Sequence, residues 1–219
     1  MPARSSAAQR PERRHPFHEG SLVSRVVIVD SGGANLSSVL FAFERLGASV
    51  AISADAATIR NADRVVLPGV GAAGAVMANL ERAGLICHLR ALEQPVLGIC
   101  LGMQILFEGS DEGDVNCLGL LPGRVRALEA MPNFPIPHMG WNRVTAVGEE
   151  PLLPEGESAH FYFVHSYAVP AGDHVSAVAT YAGPIPAIVR WRNFAGVQFH
   201  PERSGPAGSA LLARFLEGA

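Results

Sequence analysis

The chain has 219 residues, 48% of them apolar and 17% charged, with a formal net charge of −3 and a pI near 6.2. That is enough apolar chain for one well-buried domain, and such mild acidity gives no electrostatic footprint for nucleic acid or an anionic membrane surface. The three cysteines, Cys87, Cys100 and Cys117, form no C-x-x-C pair, which argues against a disulfide framework or a zinc site and fits a reducing cytoplasm.

Residues 1–24 are polar, carry Pro and Arg, and lack the apolar core of a secretory signal. They predict a disordered extension ahead of one domain over 25–219. The apolar run 25–30 predicts a buried parallel strand. Ser31-Gly32-Gly33-Ala34 follows; it is not G-x-G-x-x-G and reads as a tight turn rather than a nucleotide loop. A helix over 35–46 is stopped by Gly47. Strands at 49–52 and 64–67, helices at 72–82 and 85–92, and a strand at 96–99 complete the first half. Alternating strands and helices predict an α/β fold: a mostly parallel central sheet flanked by helices. The second half is richer in β pattern, with strands at 123–128, 159–164, 175–180, 188–191 and 195–199 before a last helix over 208–216. No apolar run reaches the roughly 18 residues of a membrane-spanning helix.

The stretch 95–104 organises the rest. An apolar strand runs into Cys100, and the apolar spacing from Leu101 to Glu108 suits a helix. Gly98 and Gly102 flank the cysteine at minus two and plus two, where a side chain would block close packing of strand on helix. This is the pattern of a nucleophile elbow with Cys in place of Ser. A buried core cysteine is the other reading of a lone Cys in an apolar run; a base and an orienting acid elsewhere would decide against it.

The third strand ends in Pro68-Gly69-Val70-Gly71. Its backbone N–H groups, with that of Leu101, are candidates to stabilise an oxyanion. Of the eight histidines, His15 and His18 lie in the extension. His88, His160 and His174 read as ordinary polar positions. His200 ends a strand and is followed by Pro201 and Glu202, so the imidazole and the carboxylate can converge, with Glu202 fixing the tautomer while His200 takes the thiol proton.

Pro68-Gly69-Val70-Gly71, Gly98-Ile99-Cys100-Leu101-Gly102-Met103-Gln104 and Gln198-Phe199-His200-Pro201-Glu202 together resemble the class I, or triad, glutamine amidotransferases. Pro137-His138-Met139-Gly140-Trp141-Asn142, supported by 163–167 and 30–36, is similar to the glutaminase subunits of imidazole glycerol phosphate synthases. The resemblance covers the chain from about residue 26 onward.

It implies a Cys100–His200–Glu202 triad that hydrolyses glutamine through a thioester, with Val70, Gly71 and Leu101 at the oxyanion. It further implies a glutamine pocket lined by Gly69, Gly71, Gln104, Glu112, Ser166 and Tyr167. A (β/α)8 cyclase subunit would form a heterodimer with it, meeting Asn35, Trp141 and Asn142. No metal or organic cofactor is implied. As bare chemistry, Trp141 and Asn142 read as an aromatic and an amide on a loop, suited to an interface. The 137–142 motif argues against the glutaminase of pyridoxal phosphate synthesis. Two departures stand out: Ala34 replaces a Gly of the usual turn, and Arg203 stands where a Lys commonly follows the Glu.

Overall fold

A computed structural model describes residues 24–32, 36–69, 71–154 and 156–218. The expected extension therefore falls almost wholly outside the described residues, as do Ala34, Asn35 and Val70.

The first half alternates strand and helix: β1 (Arg25–Val29), α1 (Leu36–Glu44), β2 (Ser49–Ser53), α2 (Ala56–Arg60), β3 (Arg64–Gly69), α3 (Ala73–Arg82), α4 (Ile86–Arg90), β4 (Val96–Cys100) and α5 (Leu101–Gln104). The second half is mostly strand: β5 (Phe107–Ser110), β6 (Val115–Asn116), β7 (Leu121–Ala127), β8 (His138–Ala146), β9 (Ser158–His165), β10 (Tyr167–Ala168), β11 (Val175–Thr180), β12 (Pro184–Trp191) and β13 (Phe194–Val197). A 3-10 turn (Pro201–Arg203) and α6 (Gly205–Glu217) close the chain.

Nine strands form one sheet in the order β2-β1-β3-β4-β13-β12-β11-β8-β9. Pairing is parallel from β2 to β13 and antiparallel from β13 to β9. The β-rich part is thus largely an extension of the central sheet, which is mixed. A separate four-stranded sheet, β10-β7-β5-β6, lies beside it.

The period-two pattern of the strands splits the core. Val27 and Val29 of β1 face one cluster with Ile59, Val76, Leu80 and Leu89 from α2, α3 and α4. Val26 and Ile28 face the other, with Val39 and Phe43 of α1 and Leu211 and Phe215 of α6. Both faces are covered by helices, which explains why the parallel strands read as unbroken apolar runs.

Three expectations change. The helix after Cys100 stops at Gln104, because the Ile105, Leu106 and Phe107 carbonyls accept hydrogen bonds from the 118–121 backbone and β5 pairs with β7; tertiary pairing overrides the apolar spacing. Residues 137–142 are not a loop. They lie largely in β8, paired residue by residue with β9. The short α2 was missing from the sequence reading; Asp55 caps it, accepting from Thr58 N–H at 2.7 Å.

Candidate functional site

Cys100 ends β4 and opens α5 with φ +55° and ψ −111°, a strained conformation for a residue with a side chain. The chain can turn so sharply because three glycines let α5 lie directly on β3 and β4. A Cβ on Gly69 would stand 2.6 Å from Gly102 N, one on Gly98 2.7 Å from Gly102 O, and one on Gly102 only 1.7 Å from Leu67 O. The thiol emerges at the carboxyl end of the sheet, where parallel α/β proteins carry their sites.

The adjacent strand β13 brings the base. The chain leaves it through Gln198 and Phe199 to His200, which is 4% exposed. Ser204 anchors this bend: its hydroxyl donates to His200 O and accepts from Tyr162 N–H at 3.0 Å. His200 Nδ1 meets Glu202 Oε1 at 2.8 Å, which leaves Nε2 for the thiol side. Burial works against the imidazolium. Cys100 on one side and Glu202 on the other outweigh it and push His200 up to about 10.

A cavity of about 580 Å³ opens over these groups, lined by Gly69, Gly71, Cys100, Leu101, Gln104, Glu112, Ser166, Tyr167 and His200 among others. That volume suits a small metabolite. The structure therefore brings the expected pocket residues together with the cysteine, the histidine and the acid. Glu112 accepts from Ala73 N–H at 2.8 Å through one oxygen. Leu101 supplies the first backbone N–H of α5, and Gly71, at φ +100°, lines the same wall. Trp141 stands 58% exposed on β8, edge-on to Tyr162. The Asn142 amide is turned inward instead: Oδ1 accepts from Arg143 N–H at 2.8 Å and Nδ2 donates to Thr180 O at 3.0 Å. No cluster of His, Cys, Asp and Glu able to hold a metal occurs among the described residues.

A class I glutamine amidotransferase family model matches residues 27–219. The chain belongs to the class I glutamine amidotransferases. Among curated relatives it is 53% identical to the imidazole glycerol phosphate synthase subunit HisH of Idiomarina loihiensis, over 88% of this chain and 97% of that one. It is 51% identical to the HisH of Xylella fastidiosa strain Temecula1, over 89% and 98%, so within the amidotransferases it is a HisH-family chain. A solved glutamine amidotransferase shares the fold at a TM-score of 0.68 and 18% identity, over 88% of this chain and 99% of that one.

For this amidotransferase the sequence reading missed Gln198 as a site residue. Its side chain is fully buried, donates to Cys100 Sγ at 3.7 Å and accepts from Gln104 at 3.0 Å. The signal was present: a polar residue two positions before His200, in an otherwise apolar strand end. His165, Val164, Pro137 and Arg203 also line the cavity.

Proposed function

We propose that this chain is the glutaminase subunit of imidazole glycerol phosphate synthase, supplying ammonia for histidine biosynthesis, and that residues 25–219 form its amidotransferase domain. The reading is carried by one observation: a cysteine at a glycine-flanked elbow shares a small cavity with a buried histidine held by a carboxylate at 2.8 Å, in a chain about half identical to HisH proteins over nearly its whole matched length.

In this mechanism Cys100 has already given its proton to His200, the thiolate–imidazolium pair that the raised His200 favours, and the thiolate attacks the glutamine amide carbon. The oxyanion is met by Leu101 N–H and by the 70–71 backbone. His200 then protonates the leaving nitrogen, and ammonia departs from a γ-glutamyl thioester. Water, deprotonated by His200, attacks the thioester and releases glutamate. Glu202 keeps the imidazole oriented and stabilises its charge. The free oxygen of Glu112 suits the α-ammonium of glutamine, and Gln104, Ser166, Tyr167, Gly69 and Gly71 frame the rest of the substrate.

Ammonia passes to a (β/α)8 cyclase subunit that docks on the surface around Trp141, with Asn35 as a further contact and Asn142 supporting that strand from within, and there reacts with the ribulosyl substrate PRFAR. Channelling matters because free ammonia at neutral pH is mostly ammonium, which is no nucleophile. The heterodimer works in the cytoplasm; no described helix is long and apolar enough to cross a membrane.

The test is glutamate release from glutamine by the chain alone, with the cyclase subunit, and with cyclase plus PRFAR. Low activity alone and a strong rise in the full mixture support the reading. Cys100→Ala should abolish glutamine-dependent turnover and leave synthesis from ammonium salts intact. Brisk hydrolysis alone, with no response to cyclase and PRFAR, would overturn the assignment to this synthase.

A further inference from the structure

The 580 Å³ cavity is walled on one side by His165, which the chemistry above does not use. His165 is paired across the sheet with His138, the first residue of β8, and the two rings meet at 2.8 Å, Nδ1 of His138 to Nε2 of His165. Both are buried. His138 is stacked between Phe163 and Tyr181, with ring centroids 4.7 and 4.0 Å away.

The partners at each end fix where every proton sits. The Asn142 carbonyl oxygen is committed to Arg143 N–H, and its Nδ2 donates to the Thr180 carbonyl. The second Nδ2 hydrogen faces His138 Nε2 at 3.2 Å, so that nitrogen is an acceptor. A neutral imidazole then carries its hydrogen on Nδ1 and donates to His165 Nε2. His165 in turn carries its hydrogen on Nδ1, and the Tyr167 carbonyl, which can only accept, receives it at 2.8 Å. Starting from the Tyr167 end gives the same answer.

Burial holds both rings neutral. It lowers His138 to about 4, and His165 to about 4 with the nearby His138 and His200 adding to the effect. The chain continues beyond Tyr167. Gln104 donates to the same carbonyl and to Gln198 Oε1, each at 3.0 Å, and Gln198 donates to Cys100 Sγ.

We propose that His138 and His165 are positioning residues for glutamine hydrolysis: a one-way hydrogen-bond chain from Asn142 through both rings to the Tyr167 carbonyl sets the wall of the glutamine pocket and ties it to the strand that carries Trp141. This rests on the glutaminase reading above. The pair touches no reacting atom. It holds Tyr167 and, through Gln104 and Gln198, the side of the pocket against the thiol. Because β8 also bears Trp141 on its outer face, a shift of that strand changes the donor geometry at His138 and is passed inward without any charged intermediate.

Two measurements test it. In the complex with the cyclase subunit, glutamine- and ammonium-dependent turnover are compared for the unaltered chain, His138→Phe and His138→Asn. Phe keeps a flat ring between Phe163 and Tyr181 but donates nothing; Asn keeps a donor near the place of Nδ1. His138→Phe should lower kcat/KM for glutamine about tenfold, the scale of one buried hydrogen bond, mainly through KM. His138→Asn should recover most of the loss, and ammonium-dependent turnover should stay unchanged in both. Equal kcat/KM in the Phe variant and the unaltered chain, or no recovery with Asn, overturns the proposal.

The second measurement needs no variant to fold. Imidazole ¹⁵N shifts of the unaltered chain at neutral pH should report both His138 and His165 as Nδ1–H tautomers. An Nε2–H on either ring overturns the proposed chain whatever the activity. An unaltered complex that fails to hydrolyse glutamine sinks the glutaminase reading instead, and the tautomers still decide the direction of the chain.

Discussion

Gly102 offers the sharpest test of the elbow. Gly102→Ala places a methyl carbon 1.7 Å from the Leu67 carbonyl oxygen, whereas a close carbon–oxygen contact is about 3.3 Å. The helix α5 and strand β3 must therefore part by about 1.5 Å. Neither can yield cheaply, because the obstacle is backbone and α5 is already tight against Gly69 and Gly98. Overpacking costs roughly 1–3 kcal/mol, and a clash of this depth belongs at the upper end, so a loss of about 3 kcal/mol is expected. With a urea m-value of about 3 kcal/mol/M for a domain of this size, the unfolding midpoint falls by about 1 M. Moving α5 also moves Cys100, and a shift of about 1 Å at a nucleophile can cost on the order of 100-fold in rate. Gly74→Ala in the first turn of α3 is the control, since a Cβ there meets nothing within 4 Å; it should be neutral or slightly stabilising. A Gly102→Ala protein with the midpoint and glutamine turnover of the unaltered chain would refute the argument that close backbone approach builds the elbow.

Glu202→Gln should lower glutamine turnover by about 10³–10⁴ while the chain stays folded, since a neutral amide no longer stabilises the imidazolium. It should also flatten the pH dependence of stability. His200 is raised above its unfolded value, so its contribution is full below about pH 6.5 and is lost as pH rises toward 10; melting temperatures across pH 7 to 10 should fall more for the unaltered chain than for the variant. Glu150 is fully buried in its side chain and binds Arg190, Ser176 and Leu152 N–H. Glu150→Ala should cost about 3–5 kcal/mol in urea unfolding without changing kcat per folded molecule. Trp141→Ala should weaken cyclase binding in titration and leave the melting temperature nearly unchanged, because the ring is more than half exposed; a large fall in melting temperature would assign it to packing.

The parallel half of the fold was legible because β1, β3 and β4 are buried on both faces and so read as continuous apolar runs bounded by turn residues. The Cys100 elbow was legible in part for a local reason: Gly98 is imposed by contact with the Gly102 and Met103 backbone just past the turn, which spacing records directly, whereas Gly102 is imposed by Leu67 of β3. What spacing could not give was the environment of residues far apart in the chain. The strand β8 carries Gly140 and alternates buried His138 and Val144 with exposed Met139, Trp141 and Arg143, but flanking prolines and the glycine masked that alternation. Gln198 was visible only as part of a motif; that it bridges Gln104 and Cys100 depends on the meeting of β4 and β13. The early end of α5 depends likewise on partners that come later in the chain.

The position of β13 has a consequence for how the protein is made. It slots between β4 and β12, so until residues 194–197 are available the nine-stranded sheet exists as two pieces, each with an unsatisfied edge. Local contacts can order the β2-β1-β3-β4 layer early, but joining it to the later antiparallel strands requires closing a loop of nearly a hundred residues, a slow step for a topology of this kind. The exposed edges of β4 and β12 are then the points at which a nascent or heat-stressed chain pairs with a neighbour instead of with itself. Because His200 follows directly on that strand, the mechanism proposed above leaves Cys100 without its base until the last strand of the sheet is in place.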